Sequence, residues 1–221
     1  MRAIVVLVAA LATACTAAVG AQSAGAGAAG CGSQTYSYAG LQSAHRSSGV
    51  RATLTALEAP RVARGHVAAW VGVAGRTQWI QVGLSGFEGS GASSLYYEVA
   101  RAGRAPEYFE VEAEIAPAQR RRVAVLEMRG RHNWWRVWVG GRPVGKPVHL
   151  PGSHGSWRGT ATAESWNAGS RACNSFRYAF DGLALSRAAG GSWQRFSAAH
   201  RFQSPGYAVV GKRAGFVAGT R

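Results

Sequence analysis

Aspartate occurs once in the 221 residues, at Asp181, and lysine only twice, at Lys146 and Lys212. A single aspartate excludes an aspartate dyad within one chain, and any Ser-His-Asp triad would have to use Asp181. No Gly-x-Ser-x-Gly elbow accompanies such a triad. The six histidines, His45, His66, His132, His149, His154 and His200, never pair at helical metal-ligand spacing, and no His-Glu-x-x-His motif occurs, so no metal site is expected. Helical periodicity is scarce, with Arg51 to Leu57 the one short candidate helix. Repeats of the propeller or solenoid kind are missing. Past the first residues no run of 18 apolar residues appears, so nothing there is expected to span a membrane.

The amino terminus carries the one strong apolar run. Met1-Arg2 is a short basic start, Ala3 to Ala14 is almost wholly apolar, and Val19-Gly20-Ala21 has the small-residue pattern of a signal-peptidase site. Residues 1–21 are therefore read as a signal peptide and the chain as secreted, extracellular or attached to the cell wall. The competing reading is a lipid anchor on Cys15, where Ala12-Thr13-Ala14-Cys15 approximates a lipobox. Cleavage leaves two of the three cysteines, and an even pair in an exported chain predicts a Cys31–Cys173 disulfide, the alternative being two free thiols. That bridge would close a very long loop, worth roughly 4 to 5 kcal/mol of chain entropy.

A formal charge of +15 comes almost entirely from arginine. It favours anionic neighbours such as acidic cell-surface polymers. The basic residues are scattered apart from Arg120-Arg121-Arg122, and no nucleic-acid motif accompanies them, so nucleic acid is not the expected partner.

Residues 22–35 form a Ser/Ala/Gly spacer, and residues 36–221 read as one domain. Apolar residues there recur with period two. In Phe109 to Ile115 one face is apolar and Glu110, Glu112 and Glu114 occupy the other, the pattern of a half-buried strand. Similar segments run from His66 to Val73, Gln78 to Leu84, Ser94 to Val99, Arg122 to Met128, Trp134 to Val139, Thr160 to Trp166 and Ser175 to Leu185. Gly140-Gly141 supplies a tight hairpin turn. Many strands punctuated by turns, with 30 glycines in the chain, predict an all-β antiparallel sandwich.

Four short segments stand in a particular order: Trp70-Val71-Gly72-Val73, Trp79-Ile80-Gln81-Val82-Gly83, Tyr96-Tyr97-Glu98 and Thr162-Ala163-Glu164-Ser165-Trp166. Together they resemble the landmarks of the glutamic endopeptidases, or eqolisins, peptidase family G1. The resemblance covers roughly Ala68 to the carboxyl terminus. It implies a concanavalin-like sandwich of jelly-roll type, a polypeptide substrate, no cofactor, and a catalytic pair of Gln81 and Glu164, which are 83 positions apart. It also implies that Glu98 lines the site.

Strand alternation gives the same two residues a shared setting. Trp79, Gln81 and Gly83 leave the face of Ile80, Val82 and Leu84, and Thr160, Thr162, Glu164 and Trp166 leave the face of Ala161, Ala163 and Ser165. Two such faces on neighbouring strands would floor a groove. There Glu164 would act as general base and Gln81 as oxyanion donor, and Trp79, Tyr96 and Trp166 would hold substrate side chains. The second reading is a non-catalytic module that binds glycan or peptide in that groove. For it, Trp134, Trp135 and Trp138 would serve as a sugar-stacking platform, although they suit a sheet core better.

Overall fold

The computed structural model describes residues 36–170, 172–212 and 215–221. The leader, Cys15, Cys31 and the spacer lie outside the described residues.

Fifteen strands follow one another among these residues, with no helix: β1 (Ser37–Arg46), β2 (Gly49–Ala56), β3 (His66–Ala74), β4 (Trp79–Phe87), β5 (Ser93–Ala100), β6 (Glu107–Ile115), β7 (Arg120–Glu127), β8 (Trp134–Val139), β9 (Arg142–His149), β10 (Arg158–Trp166), β11 (Arg177–Ser186), β12 (Trp193–Arg195), β13 (Ala198–Gln203), β14 (Tyr207–Lys212) and β15 (Gly215–Thr220). They build two antiparallel sheets. One is ordered β13-β1-β10-β3-β4-β5-β6, the other β14-β15-β11-β2-β7-β8-β9, and β12 pairs with β11.

Period-two sequence produces this sandwich directly. Val67, Ala69, Val71 and Val73 of β3, Ile80, Val82 and Leu84 of β4, and Ala161 and Ala163 of β10 point inward from the first sheet. They meet Val50, Ala52 and Leu54 of β2, Val123 and Val125 of β7, and Tyr178 and Phe180 of β11. Burying one face of each sheet leaves the alternate residues outside, which is how β3, β4, β5 and β10 come to present a polar and aromatic outer surface. Gly140 and Gly141 close the β8–β9 hairpin with φ of 58° and 84°, a turn that needs positive φ at both positions.

Three expectations are corrected. The segment Arg51 to Leu57 is no helix: it lies largely in β2, which pairs with β7 and β11 and sends Val50, Ala52, Leu54 and Ala56 into the core. Pairing on both edges outweighs the weak helical preference of Ala and Leu over so short a stretch. Next, β6 is an edge strand and does not keep one apolar face. Its register against β5 slips between Tyr96↔Glu110 and Leu95↔Glu112, and again before Ser93↔Ile115, with Glu114 at φ 57°. Each slip exchanges the faces, so Val111 is 37% exposed while Glu112 reaches Arg121 of the opposite sheet.

The tryptophans of β8, finally, do not form one platform. Trp135 is wholly buried, donates to Ser153 at 2.8 Å and stacks on Trp157. Trp134 stacks on His149 beneath the Arg131 guanidinium, outside the second sheet. Near it the side chain of Glu127, fully buried, has its Oε1 within 2.9 Å of His154 Nδ1 and accepts from the Asn133 backbone N–H at 2.8 Å, so this buried polar group is not left without partners.

Candidate functional site

Four rows of side chains cross the outer face of the first sheet, each fixed by the strand register. One runs Thr160–Gly72–Gln81–Glu98–Tyr108, the next Thr162–Trp70–Gly83–Tyr96, then Tyr38–Glu164–Ala68–Ser85, and last Trp166–His66–Phe87. The expectation that β4 and β10 are neighbours is corrected by this order: β3 lies between them. Gln81 and Glu164 therefore face the same side but sit two rows and two strands apart.

Small residues keep the floor between them low. A Cβ on Gly72 would stand 2.8 Å from that of Gln81, and one on Gly83 would stand 2.7 Å from the Cβ of Trp70. Only glycine leaves room there for the flanking side chains. The result is a cavity of about 380 Å³ lined by Gln81, Glu164, Glu98, Trp70, Trp79 and Tyr96, with Tyr36, His66, Phe87 and Tyr108 at its sides.

Of the residues expected from sequence, Gln81, Glu164, Glu98, Trp79 and Tyr96 all line this cavity, and Trp166 does not. Trp166 stacks instead on Tyr36 and packs against His66, behind the lining. Sequence reasoning missed His66, Trp70, Tyr36 and Tyr108. Alternation on β3 does place His66 and Trp70 on the outer face, but which of its residues reach Glu164 depends on the β3–β10 register.

Both cavity carboxylates are pinned by indoles. Trp70 Nε1 donates to Glu164 Oε2 at 2.8 Å, and Trp79 Nε1 donates to Glu98 Oε1 at 3.1 Å. Gln81 and Glu164 are 6% and 8% exposed. The Gln81 amide donates one hydrogen bond, to the Tyr96 hydroxyl at 3.2 Å.

Burial pushes the Glu98 carboxyl up to about 7, and the charge of Glu164 adds to that, against the opposing hydrogen bond from Trp79 and the nearby His66. Burial raises Tyr36 and Tyr96 well above the usual phenol range and Tyr108 to about 12. Through neutral pH these phenols stay protonated. Across the acid range one carboxylic acid is thus kept neutral beside a second carboxyl group, the arrangement that separates acid from base roles. Among the described residues no three His, Cys, Asp or Glu side chains come together to hold a metal ion.

No family model matches the chain, and no curated protein does either. Solved structures do. Scytalido-glutamic peptidase bound to a peptide-based transition-state analogue superposes with a TM-score of 0.60 at 14% identity, over 84% of this chain and 98% of that one. SCP-B, a member of the eqolisin family in complex with the tripeptide Ala-Ile-His, gives 0.57 at 15% identity over the same shares. The chain is therefore similar in fold to the glutamic peptidases, a β-sandwich of two antiparallel sheets.

Proposed function

We propose that the chain is an endopeptidase of the glutamic type, with Glu164 as general base and Gln81 as oxyanion donor. The observation that carries this reading is that Gln81 and Glu164, from β4 and β10, line one cavity on the outer face of the first sheet. The fold likeness supports it: its solved neighbours are peptidases bound to a transition-state analogue or a tripeptide.

In this mechanism a water lies between Glu164 and the scissile carbonyl. Glu164 takes its proton as the water oxygen bonds to the carbonyl carbon, and the carbonyl oxygen becomes an oxyanion. The Gln81 amide has two N–H groups; one is engaged with Tyr96, and the other is free to meet that oxyanion. Glu164 then passes its proton to the leaving nitrogen as the C–N bond breaks. Glu98, neutral below about 7, adds no charge beside Glu164 there. Aromatic walls of Trp79, Tyr96, Phe87 and Tyr108 suit apolar substrate side chains.

The non-catalytic reading loses its second support, because Trp134 lies on the other sheet, away from the groove, and Trp135 is core. The test is to incubate the purified protein with a reduced, denatured polypeptide from about pH 2 to 8 and to sequence the products by mass spectrometry. Internal cleavage is expected, most of it below neutral pH. A substrate left intact throughout would refute the peptidase assignment.

A further inference from the structure

Each oxygen of Glu164 has a neighbour on β3. Oε2 accepts from Trp70, and Oε1 lies 3.6 Å from His66 Nε2. The register explains the pair: Glu164 stands opposite Ala68, so the residues two before and two after Ala68 flank it on the same face. The separation is that of an ion pair rather than a short hydrogen bond. The two side chains are only 12% and 10% exposed.

The imidazole is held by rings. Tyr36 and Trp166 lie 5.6 Å away and Phe87 6.0 Å, centroid to centroid. Other titratable groups nearby bring no second positive charge. Glu98, on β5, and the phenols Tyr36, Tyr38, Tyr96 and Tyr108 line the same cavity, while Arg64 and Glu88, at the adjoining ends of β3 and β4, are exposed and pair with each other at 3.1 Å. Among the described cavity-lining residues His66 is the one that can become a cation.

We propose that His66 is a positioning residue for Glu164, fixing one carboxylate oxygen while Trp70 fixes the other, and serving as the cavity's counter-ion when protonated. The inference rests on the reading of Glu164 as the base. A base must be ionised to accept water's proton, and an opposite charge within about 4 to 6 Å favours the ionised form, more strongly where water is scarce. Histidine is the residue whose ordinary titration range supplies that charge in mild acid. Without His66 two carboxyl groups share the cavity with no counter-ion, and the base is lost to protonation sooner as pH falls.

Two variants separate charge from packing: His66→Gln removes the cation, and His66→Phe also keeps the ring stack. In both, the acid limb of the kcat/KM profile should move up by about one pH unit, so that activity on that limb falls about tenfold with KM little changed. An acid limb unmoved in two folded, active variants would overturn the proposal. So would a loss seen only in His66→Gln, because packing would then explain it.

A second measurement does not depend on hydrolysis. In a double-mutant cycle of His66→Gln with Glu164→Gln, followed by denaturant unfolding at pH 5.5, the coupling should change the folding equilibrium by roughly fivefold or more and shrink at pH 9. Zero coupling at pH 5.5 sinks the pairing even if the chain cleaves peptides. Coupling in a chain that cleaves nothing leaves the pair standing and refutes the peptidase reading instead.

Discussion

Replacing Glu164 by Gln should lower kcat by about 10³-fold or more while leaving KM close to that of the wild type and the fold intact. The amide has nearly the shape of the carboxylate, and one of its atoms can still accept the Trp70 hydrogen bond now made to Oε2 at 2.8 Å. What it cannot do is accept a proton from water. General-base assistance is worth up to about 10⁴-fold, and here no other carboxylate is placed to substitute, because Glu98 is held by Trp79 and is neutral below about 7. Steady-state kinetics on a cleavable peptide near pH 5, with circular dichroism of both proteins, measures this. Retained turnover in the variant would remove Glu164 from the mechanism.

Glu98→Gln is expected to act on stability, with a sign that follows from its raised carboxyl. In the fold the group titrates at about 7 against an ordinary value of 4.5. Between those values the folded chain keeps a proton that the unfolded chain has released, so stability falls as pH rises through that window and levels off above it. The gap corresponds to about 3 kcal/mol. Glutamine carries no charge to desolvate, so the variant should match the wild type near pH 4 and exceed it by roughly that amount above pH 7. Denaturant unfolding of both proteins between pH 4 and 8 reads the difference directly, with other titrating groups cancelling. Parallel curves would mean that Glu98 is not held in a desolvated state.

Much of this was legible from residue alternation alone. Wherever a strand is paired on both edges and covered by the opposite sheet, as in β3, β4 and β10, period two assigned the faces correctly, and Gln81 and Glu164 fell on the outer one. The failures have physical causes. β6 has a neighbour on one side only, and the first of two slips in its register carries Glu112 to the inner side, where Arg121 neutralises it. β2 has a weak helical pattern in isolation because Ala and Leu favour helices locally, and only the pairing with β7 and β11 decides otherwise.

Strand order was also out of reach. Sequence gives no sign that β3 separates β4 from β10, and that order is what sets Trp70 and His66 against Glu164. Likewise β1, which brings Tyr38 to the cavity with Tyr36 just before it, follows a Ser/Ala/Gly-rich stretch that gives no strand pattern.

The central claim is that Gln81 and Glu164 act together on a tetrahedral centre formed in this cavity. The most direct measurement is affinity for a peptide in which a phosphinate replaces the scissile amide, compared between the wild type and Gln81→Ala. An uncleaved peptide of the same sequence serves as control, bound by Glu164→Gln and by its double variant with Gln81→Ala. A donor aimed at the oxyanion is worth about 2.7 to 4 kcal/mol, so the phosphinate should lose roughly 10² to 10³-fold in affinity, and the plain peptide far less. Equal losses for both ligands, or none for either, would contradict the account.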